Sequence, residues 1–171
     1  VGPEQPLVEG IVDYLNEKKI RTFGPNKSAS RLEGSKVFMK NLCKKNNIPT
    51  ANFSIFSNFE SASKFIKKNK CPIVVKADGL AAGKGVSICK SIDEALKATR
   101  EIIEGKFKSS NKVLLEEFLE GEELSYFSIV DKNSYLFFGS AQDHKRVGEG
   151  DKGPNTGGMG AYSPSPILTK N

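Results

Sequence analysis

Between two predicted strands, the chain reads VKADGLAAGKGV from Val75 to Val86. Its glycines allow the backbone to approach an anion with several N–H groups directed at it, and Lys76 and Lys84 add compact positive charge. The spacing excludes a Walker A loop, because only three residues separate Gly79 from Gly83 and no Ser or Thr follows Lys84. The stretch predicts a phosphate-binding turn, and an ordinary hairpin turn is the alternative.

The residues around this turn predict a small α+β layer. Between about residues 52 and 123, apolar and turn residues alternate in the order strand, helix, strand, strand, helix, strand. Possible capping boxes, each a serine followed three residues later by a glutamate, open the two helices at Ser57–Glu60 and Ser91–Glu94. Such an order places both helices on one face of a single sheet.

The first 50 residues predict two helices and a short strand. Apolar residues at helical spacing indicate a helix over about 6–16, followed by a strand over 20–23. A second helix is expected over about 28–46, with its lysines, Lys40 among them, on the face opposite the apolar residues.

The last 50 residues predict a meander and a long loop. Two strands are expected over 122–130 and 135–140, joined by a polar turn. The segment 142–160 is rich in glycine and has no apolar periodicity, so a loop is expected there. A loop of this length more often serves function than not.

Composition excludes several classes of protein. The 171 residues carry 26 Lys and Arg against 20 Asp and Glu, a net charge of +6, which fits an anionic partner without choosing among nucleic acid, nucleotide and phosphorylated metabolite. Three cysteines without a CxxC pair and one histidine do not match zinc spacings. No apolar run approaches the roughly 18 residues that cross a bilayer. We therefore expect a soluble, cytoplasmic protein with reduced thiols.

Two further stretches combine charge with turn residues. LLEEFLEGEE over 114–123 is a strand that runs into a carboxylate-rich turn, and a solvated acidic loop is its alternative interpretation. QDHKR over 142–146 precedes GPNTGGMG over 153–160, and small residues beside cations suit a phosphorylated substrate. His144 by itself is more often a structural hydrogen-bonding residue than a catalytic base.

These strings resemble the phosphoribosylamine–glycine ligases, or glycinamide ribonucleotide synthetases, a family of the ATP-grasp superfamily. The resemblance rests on GSK at 34–36, KADGLAAGKG at 76–85, EEFL at 116–119, QDHKR at 142–146 and GPNTGGMGAYSP at 153–164. It implies an α/β (α+β) ATP-grasp fold and an ATP-dependent carbon–nitrogen ligase of de novo purine biosynthesis. Such a ligase joins glycine to 5-phosphoribosylamine through a glycyl phosphate and releases ADP and phosphate.

Two other functions are weighed against this one. Another ATP-grasp carboxylate–amine ligase with different substrates would share the glycine-rich turn, but the string over 142–146 argues against it. A basic nucleic-acid-binding module is suggested only by the net charge, and it would need exposed aromatics among the basic residues or a recognition helix.

The resemblance also implies the site residues. Lys36 and Lys76 would reach the ATP phosphates, and Glu123 would hold the ribose hydroxyls, with Glu122 as its rival. The full set of expected ATP-binding residues is Lys36, Lys76, Gly79, Gly83, Lys84, Gly85, Glu116, Phe118, Leu119 and Glu123. The expected catalytic residues are Lys145 and Arg146. The expected substrate-binding residues are Asp143, His144, Asn155, Thr156, Gly157, Gly158, Met159 and Gly160.

By the same resemblance, the chain is expected to be part of a longer protein. Residues 1–51 would end an N-terminal nucleotide-fold domain, 52–123 would form the ATP-grasp lid, and 124–171 would begin the central subdomain with the substrate loops. Magnesium, the expected cofactor besides ATP, would be bound by carboxylates downstream of this chain. The expected partners are glycine, 5-phosphoribosylamine and the missing lobes of the parent chain, without nucleic acid or membrane, and the chain alone is expected to be inactive.

Overall fold

The computed structural model describes residues 3–81, 84–107, 111–150 and 152–169. The chain divides into two compact units, Val1–Leu119 and Glu120–Asn171. Among the helices so described, none is long and apolar enough to cross a membrane.

The first unit begins with two short helices where one was predicted. Helix α1 spans Glu4–Glu9 and α2 spans Ile11–Glu17. Gly10 separates them with a φ of 100°, a left-handed conformation that interrupts the helical hydrogen bonds and that glycine adopts without steric cost. The strand predicted over 20–23 is wrong, because these residues have extended or irregular backbone and pair with no strand among the described residues.

The second predicted helix is also divided. Helix α3 spans Lys27–Gly34 and α4 spans Lys36–Lys45. Ser35 lies between them with an extended backbone, and its hydroxyl accepts a hydrogen bond from the backbone N–H of Phe38 at 3.1 Å. The serine therefore caps a new helix, and Lys36 becomes the first residue of that helix.

The predicted order of the α+β layer is confirmed. It consists of β1 (Phe53–Phe56), α5 (Phe59–Lys68), β2 (Ile73–Ala77), β3 (Val86–Cys89), α6 (Ile92–Ile103) and β4 (Val113–Glu117). The four strands form an antiparallel sheet in the order β1-β4-β2-β3.

Helix starts in this layer differ slightly from the prediction. Asn58, not Ser57, caps α5, and its side chain accepts a hydrogen bond from the N–H of Ser61 at 3.0 Å. The second predicted cap is confirmed, since the hydroxyl of Ser91 accepts a hydrogen bond from the N–H of Glu94 at 3.2 Å.

The core lies between one face of this sheet and helices α5 and α6. Alternate residues of β2 and β4, such as Val75 and Leu115, are buried there against Ile66 of α5 and Ile102 of α6. Because side chains alternate along a strand, the intervening residues of β2 and β4 point to the opposite face of the sheet. That opposite face carries the polar groups of the candidate site.

The second unit is built from short antiparallel strands. They are β5 (Ser125–Val130), β6 (Tyr135–Asp143), β7 (Arg146–Gly148), β8 (Lys152–Asn155) and β9 (Ala161–Tyr162). The predicted meander is confirmed in β5 and β6, which pair with each other, while β9 pairs with the end of β6. The loop predicted over 142–160 is wrong in part, because β7 and β8 form a hairpin within it.

Candidate functional site

Lys76 and Glu116 lie on the same face of the sheet. In the pairing of β2 with β4, Lys76 is opposite Leu114 and Glu116 is opposite Val74, so the two charged residues are diagonal neighbours. The Nζ atom of Lys76 is 2.8 Å from Oε2 of Glu116. The lysine side chain keeps 27% of its surface exposed, whereas the glutamate side chain keeps 3%. An anion in solvent can therefore contact the Lys76 ammonium, whereas the Glu116 carboxylate is shielded from solvent.

Lys36 approaches the glycine-rich turn from the start of α4. Its Nζ donates a hydrogen bond to the carbonyl oxygen of Gly79 at 2.9 Å. Burial lowers the pKa of Lys36, and the nearby charge of Asp78 opposes that shift only in part. The ammonium is thus incompletely solvated and incompletely compensated, which favours binding of an added negative group.

Asp78 holds the start of α4 against the turn, and the sequence analysis did not include it in the site. Its Oδ1 accepts hydrogen bonds from the hydroxyl of Ser35 at 3.0 Å and from the N–H of Val37 at 3.1 Å. The aspartate is 8% exposed. It lies at a helix N-terminus, where free N–H groups favour a negative charge. Its position within the KADG string was visible, but its partner lies 43 residues away and no local pattern identifies it.

The glycine-rich turn connects β2 to β3. Gly79 has a φ of 80°, in the left-handed region that favours glycine, and both it and Gly85 are buried. The N–H of Ala77 donates to the carbonyl of Gly85 at 2.8 Å, so the two ends of the turn are joined. The side chain of Lys84 is exposed, and Gly83 lies outside the described residues.

The close packing of this turn makes Gly85 sensitive to substitution. A Cβ atom on Gly85 would lie 2.7 Å from the Cβ of Ala81 and 3.4 Å from that of Ala77. Gly85→Ala is therefore expected to lower the free energy of unfolding by about 1–3 kcal/mol, measured by chemical denaturation. Gly139→Ala is the control, because a Cβ there meets no atom within 4 Å. Equal stability of the two variants would contradict this packing.

The strand that carries Glu116 continues into the rest of the EEFL string, whose Phe118 and Leu119 are among the expected ATP-binding residues. Glu117 is exposed and accepts two hydrogen bonds from Asn52, one from the backbone N–H at 2.8 Å and one from the side-chain amide at 3.0 Å. These bonds lower the pKa of Glu117. Phe118 is half-buried and Leu119 is 63% exposed. The segment is thus anchored to the start of β1 while its apolar side chains stay accessible.

Lys40 is buried, although the sequence placed it on the polar face of its helix. Its side chain is 3% exposed, and its Nζ lies 3.3 Å from Oε2 of Glu116. Glu116 thus pairs with two lysines through a single oxygen. Its other oxygen, Oε1, is buried without a hydrogen-bond partner among the described residues.

In the second unit, the two predicted substrate strings are hydrogen-bonded to each other. The N–H of His144 donates to the carbonyl of Gly160 at 2.9 Å, and the N–H of Met159 donates back to the carbonyl of His144 at 2.8 Å. The N–H of Thr156 donates to the carbonyl of Lys145 at 2.7 Å. The structure therefore brings the 143–146 and 156–160 segments together through backbone bonds.

The charged side chains of these strings are partly engaged. Nζ of Lys145 is 2.6 Å from Oδ2 of Asp143, and this hydrogen bond raises the pKa of Lys145. Nη1 of Arg146 donates to the carbonyl of Gly153 at 3.0 Å. His144 is exposed, with its ring centroid 5.7 Å from that of Tyr162. The ammonium of Lys145 is therefore held in its charged form beside Asp143.

The remaining predicted residues of this unit are mostly exposed to solvent. Gly157, Gly158, Met159 and Gly160 are exposed, as are Glu122 and Glu123. Asn155 ends β8, and its side chain is outside what the structure describes.

Gln142 is a residue of this unit that was missed. Its Oε1 accepts hydrogen bonds from the hydroxyls of Tyr162 at 2.8 Å and Ser165 at 2.7 Å. Gln142 is 8% exposed and Ser165 is 4% exposed. Gln142 therefore ties β9, through Tyr162, and the residues just after β9, through Ser165, to β6 beside the two strings. The QDHKR string contained it, but only the fold reveals its partners.

No metal site is assigned to the described residues. Across residues 3–81, 84–107, 111–150 and 152–169, no group of three or more His, Cys, Asp or Glu side chains is placed to hold a metal ion. The described part of the chain therefore offers no cluster of three protein ligands for magnesium.

Comparison with protein families matches the whole chain. The model described as "Phosphoribosylglycinamide synthetase, ATP-grasp (A) domain" matches residues 34–171, and the "Phosphoribosylglycinamide synthetase, N domain" model matches residues 1–33.

Individual relatives agree with the family models. The chain is 56% identical over 172 residues to the chloroplastic phosphoribosylamine–glycine ligase of Arabidopsis thaliana, covering 99% of this chain and 32% of that protein. It is 55% identical over 170 residues to the phosphoribosylamine–glycine ligase of Mesorhizobium japonicum, covering 99% and 40%. The chain thus spans about a third to two fifths of the length of these relatives.

A solved structure agrees as well. The crystal structure of the phosphoribosylamine–glycine ligase of Thermotoga maritima matches with a TM-score of 0.78 and 42% identity, over 85% of this chain and 38% of that one. The resemblance and the α+β ATP-grasp fold expected from the sequence are therefore confirmed, and the chain belongs to the phosphoribosylglycinamide synthetase family.

Proposed function

We propose that the protein carrying this chain is an ATP-dependent carbon–nitrogen ligase that joins glycine to 5-phosphoribosylamine and yields glycinamide ribonucleotide, ADP and phosphate. The reaction belongs to purine biosynthesis, and we place it in the cytoplasm. The proposal that the chain binds ATP rests on the arrangement of Lys36, Lys76 and the turn at Gly79. Two half-buried ammonium groups and a glycine-rich backbone, all within the first unit, form a cradle for phosphate groups.

The chemistry needs two displacements. A carboxylate oxygen of glycine attacks the γ-phosphorus of ATP, the bond to the ADP oxygen breaks, and glycyl phosphate forms. The amine of 5-phosphoribosylamine then attacks the acyl carbon, inorganic phosphate leaves, and the amine gives up a proton. Because charge shifts onto phosphate oxygens in the first step, the protein contributes mainly positioning and positive charge.

In this proposal, different residues contact the phosphates, the adenine and the ribose of ATP. Lys36 and Lys76 contact the phosphates, and the turn from Gly79 to Gly85 encloses them with backbone N–H groups. The segment from Glu116 to Leu119 contacts adenine, and Glu123 holds the ribose. The hydrogen bond between Glu117 and Asn52 supports the assignment of adenine to this segment, because it fixes the backbone that would contact the base.

The second unit supplies groups for the acceptor substrates. Lys145 and Arg146 would neutralise phosphate, and the backbone of Thr156 to Gly160 would receive glycine or phosphoribosylamine. Nζ of Lys145 lies 2.6 Å from Oδ2 of Asp143, so a bound phosphate would share this ammonium with the aspartate. Magnesium would be held by residues beyond those described, and the division into parts 1–51, 52–123 and 124–171 stays a prediction.

The function is tested with the full-length protein. Release of ADP should require both glycine and 5-phosphoribosylamine, and omission of either should abolish it. The 171-residue chain alone should gain thermal stability in millimolar ATP without turning over. Turnover with a different carboxylate and amine would replace the proposed substrates, and binding of oligonucleotides that falls steeply with salt would favour the nucleic-acid alternative.

The lowered pKa of Lys36 predicts how ATP binding depends on pH. Burial makes this lysine lose its proton at a lower pH than an ordinary lysine, whereas a bound phosphate favours the charged form. ATP affinity should therefore fall as the pH rises through the lowered pKa, and binding in that range should take up a proton. Calorimetric titration in buffers of different ionisation enthalpy measures both effects.

An arginine at this position provides the control. Lys36→Arg keeps its charge throughout the alkaline range, so its ATP affinity should stay level where that of the unaltered protein falls.

The lowered pKa of Lys36 has the opposite effect on the stability of the protein without nucleotide. Between the lowered pKa and that of an ordinary lysine, the unfolded chain binds more protons than the folded chain, so the free energy of unfolding should rise with pH. Identical pH profiles for the two proteins would contradict the assignment of Lys36.

A further inference from the structure

We propose that Lys40 is a positioning residue for ATP, acting through Glu116 to keep Lys76 available to the phosphates. This inference rests on the proposed function, but it concerns a residue that neither the sequence strings nor the expected ATP contacts include. Lys40 lies one helical turn after Lys36 in α4 and is 3% exposed, so it does not itself meet a ligand in solvent.

The ammonium group of Lys40 has two hydrogen-bond acceptors and one ion-pair partner. Nζ lies 2.7 Å from Oγ1 of Thr50, 3.3 Å from the carbonyl of Ala51 and 3.3 Å from Oε2 of Glu116. A buried ammonium is stable only when it is paired and hydrogen-bonded, and this one satisfies both conditions. Its location is therefore well determined by the fold.

Both lysine ammonium groups contact the same carboxylate oxygen of Glu116. Lys76 reaches Oε2 at 2.8 Å and Lys40 reaches the same atom at 3.3 Å. Without Lys40, the buried carboxylate would have Lys76 as its one ionic partner among the described residues. The glutamate would then hold the Lys76 ammonium at the sheet, where a phosphate would have to compete for it.

The charges of Lys40, Lys76 and Glu116 also indicate that Lys76 stays available to a phosphate. Two ammonium groups and one carboxylate leave one net positive charge, and the exposed member of the cluster is Lys76 with 27% of its side chain accessible. Lys40 thus offsets the charge of Glu116 from the buried side, and the remaining positive charge is presented on the solvent side. A polyphosphate would gain from that charge, whereas an uncharged part of the nucleotide would not.

The test compares nucleotides that differ in phosphate number. In the full-length protein, Lys40→Met keeps the length of the side chain and removes its charge. It is expected to weaken ATP binding about tenfold and AMP binding by less than about threefold, measured by calorimetry. Lys44→Met, one turn further along the same helix at an exposed position, is the matched control and should leave both affinities unchanged.

A second background separates positioning from general damage to the fold. In Glu116→Gln, no carboxylate remains to hold Lys76, so adding Lys40→Met should weaken ATP binding by less than about threefold. Thermal unfolding of each variant confirms that it is folded. If Lys40→Met itself did not fold, a loss of ATP affinity of more than about threefold between Glu116→Gln and the double variant would still overturn the role of Lys40.

The possible outcomes separate the role of Lys40 from the proposed function. Equal losses for ATP and AMP, equal losses in both backgrounds, or unchanged ATP affinity in Lys40→Met would overturn the role of Lys40 while leaving the proposed function intact. Failure of the unaltered full-length protein to bind ATP would overturn the proposed function, and the role of Lys40 with it.

Discussion

Lys76→Met should lower kcat/KM for ATP of the full-length protein about a hundredfold or more. The reason is that Lys76 is a partly exposed ammonium beside the glycine-rich turn, and positive groups that meet a transferring phosphoryl commonly contribute this much. The fold should survive, because Glu116 keeps Lys40 as a buried partner at 3.3 Å. Steady-state kinetics with varied ATP at saturating glycine measure the effect.

An exposed lysine of the same unit serves as the control for this prediction. Lys90→Met changes the net charge equally at an exposed position just after β3, and it should leave the ATP requirement within about twofold of the unaltered protein. ATP kinetics that stay normal in Lys76→Met would remove Lys76 from the phosphate site. A lowered melting temperature in Lys76→Met alone would instead indicate a structural role.

Asp78→Ala should both destabilise the protein and weaken its binding of ATP. The substitution leaves the Ser35 hydroxyl and the Val37 N–H without their acceptor, and a lost buried acceptor of this kind costs about 2–3 kcal/mol of unfolding free energy. It also releases the start of α4, which positions Lys36 against Gly79. Chemical denaturation and ATP titration of the same samples measure the two effects.

Two variants help to interpret this result. Asp78→Asn retains one acceptor oxygen and should lose about half as much stability as the alanine variant. Asp93→Ala removes an exposed carboxylate from the first turn of α6, where the loss should be at most about 1 kcal/mol. If Asp78→Ala and Asp93→Ala were equally stable, the aspartate would not anchor α4.

The secondary structure of the α+β layer could be predicted because its signals are local. β-branched residues mark β2, and apolar spacing with a serine cap marks α6, so each element is specified within its own sequence. The divided helices near the N-terminus were missed, although Gly10 and Ser35 were visible. Periodicity extends across such breaks, and only the backbone conformation shows that the helix ends there.

The strands within the predicted loop over 142–160 were missed for another reason. They are short, and their pairing places Arg146 opposite Asn155 and Gly148 opposite Lys152 without any apolar alternation along either strand. Glycine-rich sequence has low strand propensity, so a local prediction assigns it to loop.

By itself, the sequence determined the order of strands and helices around the turn at 75–86 and, through its strings, the family and the candidate ligand residues. The tertiary structure decided which polar groups support them. Asp78 is bonded to Ser35 and Lys40 to Glu116 only because the fold brings α4 onto the sheet face that carries Lys76. The physical reason is that capping patterns and periodicity act over a few residues, whereas buried polar groups find partners wherever the packed chain places them.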